Sequence, residues 1–208
     1  MKITLDIPAI ELEKLVSPSL AEPRISLCNI SWKQYETLVT TLSPYPILRL
    51  SYNAGDLEIM TNSPLHETVK SLIRRLLEIY ALERNLDFYS YGSTTFRNEA
   101  AARGLEADES YCLGERREVP DLAIEVVVTS GGINKLDIYQ GLEVQEVWFW
   151  QENHITLYQF IDSTTGYREI QRSQLLPHLD LNLLCQFIDP AREPQMIRAY
   201  RQALQNNP

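Results

Sequence analysis

The chain has 208 residues, 44% of them hydrophobic, enough to bury one substantial core, and no Gly/Ser-rich linker or break in composition divides it. Its 19 Lys and Arg against 28 Asp and Glu leave a formal charge of −9, which argues against a protein that coats nucleic acid by phosphate neutralisation. Cys28, Cys112 and Cys185 are far apart and form no CxxC pair, which excludes a disulfide framework or zinc knuckle and points to a reducing compartment. No signal-peptide pattern is present and no apolar run approaches the roughly 20 residues of a membrane span, so a cytoplasmic location is expected.

Residues 1–30 read as an N-terminal arm, with Ile3, Leu5 and Ile7 alternating like a short strand and Pro18 and Pro23 marking a loop. Such an arm is suited to packing on a partner subunit. From 31 to 208 a single domain is expected. Ser31-Trp32-Lys33-Gln34 is a capping-box pattern that opens a helix to about Leu42, stopped by Pro44 and Pro46. Residues 47–52 and 56–60 alternate as two strands, and Asn53-Ala54-Gly55 between them predicts a hairpin. Ser63-Pro64 opens a second helix ending near Asn85, whose apolar stripe is Val69, Leu72, Ile73, Leu76, Leu77 and Tyr80. His66 falls at the margin of that stripe, and Glu67, Lys70 and Arg74 fall on the polar face.

Residues 86–97 read as one long strand, and 105–113 and 119–128 as two more, antiparallel neighbours across the charged turn Gly114-Glu115-Arg116-Arg117-Glu118. Gly131-Gly132 breaks the chain before a helix over about 134–142; the pair lacks phosphate-loop spacing and is read as a turn. A strand over 146–150, a pair over 155–160 and 167–171, and a closing helix over 195–204 complete an α/β sandwich on a mixed sheet, an α+β mixed-sheet class. The Trp148 strand reads equally as a buried core strand or as a homodimer interface.

Within the run from Pro120 to Val128, composed like a buried strand, Glu125 is out of place. Burying an unpaired carboxylate costs on the order of several kcal/mol, so Glu125 calls for a cation, a hydrogen-bond network or a metal ion. Asp121 is four residues back on the same strand, about 13 Å away, too far to share one ion comfortably. Asp108, on the preceding strand and about 5 Å away if the register permits, is the better partner, with Glu106 reading as solvated. Lys135, at the start of the following helix, is the first basic residue after the strand, and its long stem could swing back over it.

Glu106-Ala107-Asp108, Pro120 to Val126, Lys135-Leu136-Asp137-Ile138-Tyr139 and Val144-Gln145-Glu146-Val147-Trp148, in that order, resemble the Uma2 family, also called DUF820, of endonucleases. The resemblance runs from about Ser31 to about Phe187. It implies the PD-(D/E)xK restriction-endonuclease-like fold, with Asp108 and Glu125 as the two acidic positions and Lys135 as the lysine. Two departures stand out: Ala107 replaces the usual proline, and Val127 occupies the place of the consensus lysine, which leaves that role to Lys135. By this resemblance the protein is a Mg²⁺-dependent endonuclease acting on DNA, with Mn²⁺ as an alternative ion. Asp108, Glu125 and the Val126 carbonyl would hold the metal, Lys135 would serve the attacking water and Asp121 would orient a neighbour. Two other readings stay open: a binding protein that kept the fold without cleaving, and a carboxylate hydrolase of another substrate, such as a glycoside.

Overall fold

A computed structural model describes residues 22–45 and 47–206. The expected strand at Ile3, Leu5 and Ile7, the loop at Pro18 and the stop at Pro46 lie outside the described residues. The described residues form two compact units interleaved in sequence, one within 1–63, 95–106 and 129–142 and the other within 64–94, 107–128 and 143–208. The expected 31–208 domain therefore contains parts of both.

The first unit holds β1 (Arg24–Leu27), α1 (Trp32–Leu42), β2 (Leu48–Asn53), β3 (Asp56–Thr61), β5 (Thr95–Asn98), β6 (Arg103–Glu106) and α3 (Lys135–Leu142). Its five strands form an antiparallel sheet in the order β1-β3-β2-β6-β5. The capping box is formed in full: the Gln34 amide donates to Ser31 Oγ, and the Ser31 amide donates to Gln34 Oε1 at 2.8 Å. The β2–β3 hairpin turns through Ala54 (φ 48°) and Gly55 (φ 108°), as the Asn-Ala-Gly signal predicts. Tyr35 stacks on Tyr52 with ring centroids 4.8 Å apart, and with Ile30, Leu50, Leu57 and Ile59 the two rings make this unit's core.

The second unit holds α2 (Pro64–Glu83), β4 (Phe88–Ser90), β7 (Glu109–Leu113), β8 (Leu122–Val126), β9 (Glu146–Gln151), β10 (His154–Asp162), β11 (Gly166–Ile170), α4 (Leu181–Gln186) and α5 (Glu193–Asn206). Its six strands run β11-β10-β9-β8-β7-β4, antiparallel except for β8 beside β9. That parallel pair makes the sheet mixed, and as a parallel pair requires, a helix-bearing crossover joins the two strands. The stripe of α2 packs with Leu122, Ile124, Val126, Trp148 and Trp150 in one core. The tryptophans are thus core residues, and the apolar strand needs no partner subunit to account for it.

Two expected long strands are each broken in two. The 86–97 stretch divides into β4 and β5, and the 105–113 stretch into β6 and β7, with the halves in different sheets. Gly92 takes a left-handed φ of 58°, and Thr94 Oγ1 donates to the Tyr91 carbonyl at 2.7 Å, so local bonds replace the ladder there. In the second break the Asp108 side chain engages backbone and helix groups, which ends the strand. Glu106, expected to be solvated, forms an ion pair with Arg49 of β2. The segment after Glu125 is tied down within the first unit. Thr129 donates its amide to Glu22 Oε2 at 3.1 Å, Arg24 donates to the Gly131 carbonyl, and the Ile133 amide donates to Glu58 Oε2 at 3.2 Å. Gly132 takes a left-handed φ of 103°, and a Cβ there would press on the ends of the Arg24 and Glu58 side chains.

Candidate functional site

β8 is buried along its whole length. Leu122, Ile124 and Val126 turn to the α2 core, which leaves Ala123 and Glu125 for the opposite face by strand alternation. Glu125 is fully buried there. The antiparallel register ends with Glu109 paired to Ile124, and Asp108 lies one residue earlier, in a bend. Val126 lies beyond the last β7–β8 pair, and its amide donates to Asp108 Oδ2 at 2.9 Å in place of a strand carbonyl. The other oxygen, Oδ1, lies 2.9 Å from His66 Nε2, and both side chains are buried. Ser93 Oγ donates to the Asp108 carbonyl at 3.0 Å. Asp108 is therefore held by three elements: β8, the first turn of α2, and the segment after β4.

Asp121 sits just before β8 and is bonded on all sides. Oδ2 accepts from the Leu113 amide at 2.8 Å, while Oδ1 accepts from Gln145 Nε2 at 2.9 Å and from the Arg117 guanidinium. Its carboxylate fastens the β7–β8 turn and the start of β9. Lys135 opens α3 in the first unit and is half-buried.

Reading the helical wheel placed Lys70 on the polar face, but Lys70 is buried. Its ammonium pairs with the half-exposed Glu67, 2.6 Å away, and donates to Ser93 Oγ at 3.5 Å. His66, Lys70 and Arg74 recur every four residues and so form one ridge of α2. The spacing was the available signal, and the apolar neighbours Val69 and Ile73 masked it.

Glu109 is the other residue that the sequence reading passed over. It is 3% exposed, and its Oε2 has no hydrogen-bond partner among the described residues. Burial pushes its carboxyl up to about 7; Arg74 and Lys70 oppose the shift, and Glu78 and Asp108 add to it. The folded pKa thus exceeds the ordinary 4.5. Stability from this group is fully present below pH 4.5 and is lost as pH rises through about 7, to a total on the order of 3 kcal/mol. Glu109→Gln should flatten that dependence and leave the variant more stable than the parent at pH 8 by roughly 2 kcal/mol. Urea unfolding of both proteins at pH 5 and pH 8 measures it; parallel stabilities at the two pH values would refute the assignment.

Among the described residues no helix is long and apolar enough to cross a membrane. No curated protein matches the chain. The model of the Uma2 family, described as "Putative restriction endonuclease", matches residues 32–188.

Proposed function

We propose, since the chain belongs to the Uma2 family, that it is a metal-dependent endonuclease that hydrolyses DNA phosphodiester bonds. The observation that carries this reading is the placement of Asp108, buried and braced from three elements at the end of the β7–β8 ladder, beside the strand that carries Glu125. Asp108 and Glu125 are both buried, and a cation bound by the two would explain why two carboxylates are kept there.

The donors fit a hard cation. Asp108, Glu125 and the Val126 carbonyl offer only oxygen, the ligand type that Mg²⁺ and Mn²⁺ take. Among the described residues no group of three His, Cys, Asp or Glu gathers as a metal cage. Mg²⁺ needs none, because it keeps several waters and binds through one or two carboxylates. When bound, the ion would acidify a water and offset charge on the phosphate.

The chain's own groups do the rest. Asp108 and Glu125 bind the ion, and His66 fixes the direction of the Asp108 carboxylate. Lys135, in the family's lysine position, positions the attacking water and stabilises the developing phosphate charge. Asp121 acts at one remove, as a positioning residue that holds the turn before β8. A homodimer would present two such sites to the two strands of a duplex.

A second reading, a nucleic-acid-binding protein without cleavage, draws on the valine in place of the consensus lysine and on the charge of −9. Metal affinity separates the two. Calorimetric titration with Mg²⁺ or Mn²⁺ should show one saturable site in the parent, weakened about ten- to a hundredfold in His66→Gln, the cost of losing an outer-shell partner. Absence of a binding isotherm in the parent would favour the second reading.

A further inference from the structure

The edge of the six-stranded sheet carries an aromatic and cationic cluster that folding alone does not require. Tyr89 pairs with Cys112, and by the same register count Tyr91 stands opposite Ser110 and Ser93 opposite Asp108. The bonds follow that count: the Tyr91 amide donates to the Ser110 carbonyl at 2.9 Å, and Ser93 Oγ donates to the Asp108 carbonyl at 3.0 Å. Phe88 and Tyr111 stack in the core, so Tyr89 and Tyr91 take the other face of the sheet by alternation, the face of Glu125.

The β7–β8 turn lays Arg116 across both rings, its guanidinium carbon 5.4 Å from the Tyr89 centroid and 5.1 Å from the Tyr91 centroid. Tyr91 is pinned from the same turn, its hydroxyl donating to the Arg117 carbonyl at 2.6 Å. The two neighbouring arginines differ. Arg117 is committed to Asp121 and Glu115, whereas Arg116 is exposed and makes no ion pair among the described residues. Arg116 is thus a cation that rests on two rings and has no acidic partner among the described residues. Tyr89 is 36% exposed.

An alternative is that Arg116 only shields a sheet edge from pairing with another chain. A charge alone would serve that purpose. A planar cation stacked on two tyrosines offers more: π faces for a base and a charge for its phosphate. The position adds to this, since Ser110 and Asp108 are two residues apart, about 7 Å along the strand, a distance that a short stretch of extended nucleic acid spans. Bases inside a duplex have both faces covered, so such a surface engages only an unstacked base.

We infer that Tyr89, Tyr91 and Arg116 form a base-stacking ledge that leads single-stranded DNA, or a strand unpaired at that point, to the Asp108 site. The inference rests on the nuclease reading for its purpose but not for its test. Fluorescence anisotropy with a labelled short oligothymidylate and with a mixed-sequence duplex of the same length, both in EDTA, measures binding without cleavage. The parent should prefer the single strand. Tyr89→Ala should lose about tenfold in single-strand affinity, Tyr89→Phe should retain it, and duplex affinity should stay unchanged in both. Arg116→Ala should weaken single-strand binding and lower its salt slope by about one phosphate contact. Melting temperatures near the parental value would show that these exposed substitutions leave the fold intact. Equal affinity of the parent for single strand and duplex, no binding of either, or parental single-strand affinity in Tyr89→Ala overturns the ledge. If the ledge variants lose binding and the parent never cleaves with Mg²⁺ or Mn²⁺, the ledge stands and the nuclease reading falls. If Tyr89→Ala cleaves single strands with parental KM, the reverse holds.

Discussion

Glu125→Gln is expected to lower metal affinity by more than roughly a hundredfold, beyond the range for outer-shell partners, and to bring DNA cleavage below detection. The substitution keeps the shape of the side chain and removes its charge, so it separates a ligand from a packing residue. Folding should survive, because β8 keeps its neighbours on both sides and a buried charge is removed. Calorimetry with Mn²⁺ and urea unfolding on the same preparation read both quantities. A variant that unfolds severely would instead identify Glu125 as half of a structural ion pair, whose remaining cation is left buried and unpaired.

Lys135→Ala should have the opposite signature, with metal affinity kept and kcat reduced by about a hundred- to a thousandfold, the range for losing one group that stabilises developing charge. Lys135→Arg should recover only part of the rate, since the guanidinium is larger, more rigid and always protonated. Single-turnover cleavage at saturating metal is the measurement. A parental rate in Lys135→Ala would show that the family's lysine role is not filled by this residue.

Local signals carried much of the fold. The capping box at Ser31, the turn at Ala54-Gly55 and the stripe from Val69 to Tyr80 all depend on neighbours in sequence, and each element formed as its residues indicate. The two breaks at Tyr91–Thr94 and Ala107–Asp108 were not legible. The first turns on a left-handed Gly92 and a local bond from Thr94 to the Tyr91 carbonyl, and the second on the Asp108 side chain bonding to partners far away in sequence. The same holds at the candidate site. Glu125 stood out because a carboxylate in a strand of apolar residues is anomalous by itself. Lys70 and Glu109 did not, because an ionisable residue on a helix wheel or in a mixed strand reads as surface until the packing buries it. Asp121 shows the converse: legible as a carboxylate near Glu125, it is in fact bonded to Leu113, Arg117 and Gln145.

The most direct measurement is a cleavage time course on closed-circular DNA, single-stranded and supercoiled, with the parent and Asp108→Asn side by side in Mg²⁺, Mn²⁺ or EDTA. A metal-dependent endonuclease built on Asp108 and Glu125 converts the circles to open or linear forms only in the parent and only with a divalent ion present. Intact circles in every parent reaction, or equal cleavage by parent and Asp108→Asn, would contradict it.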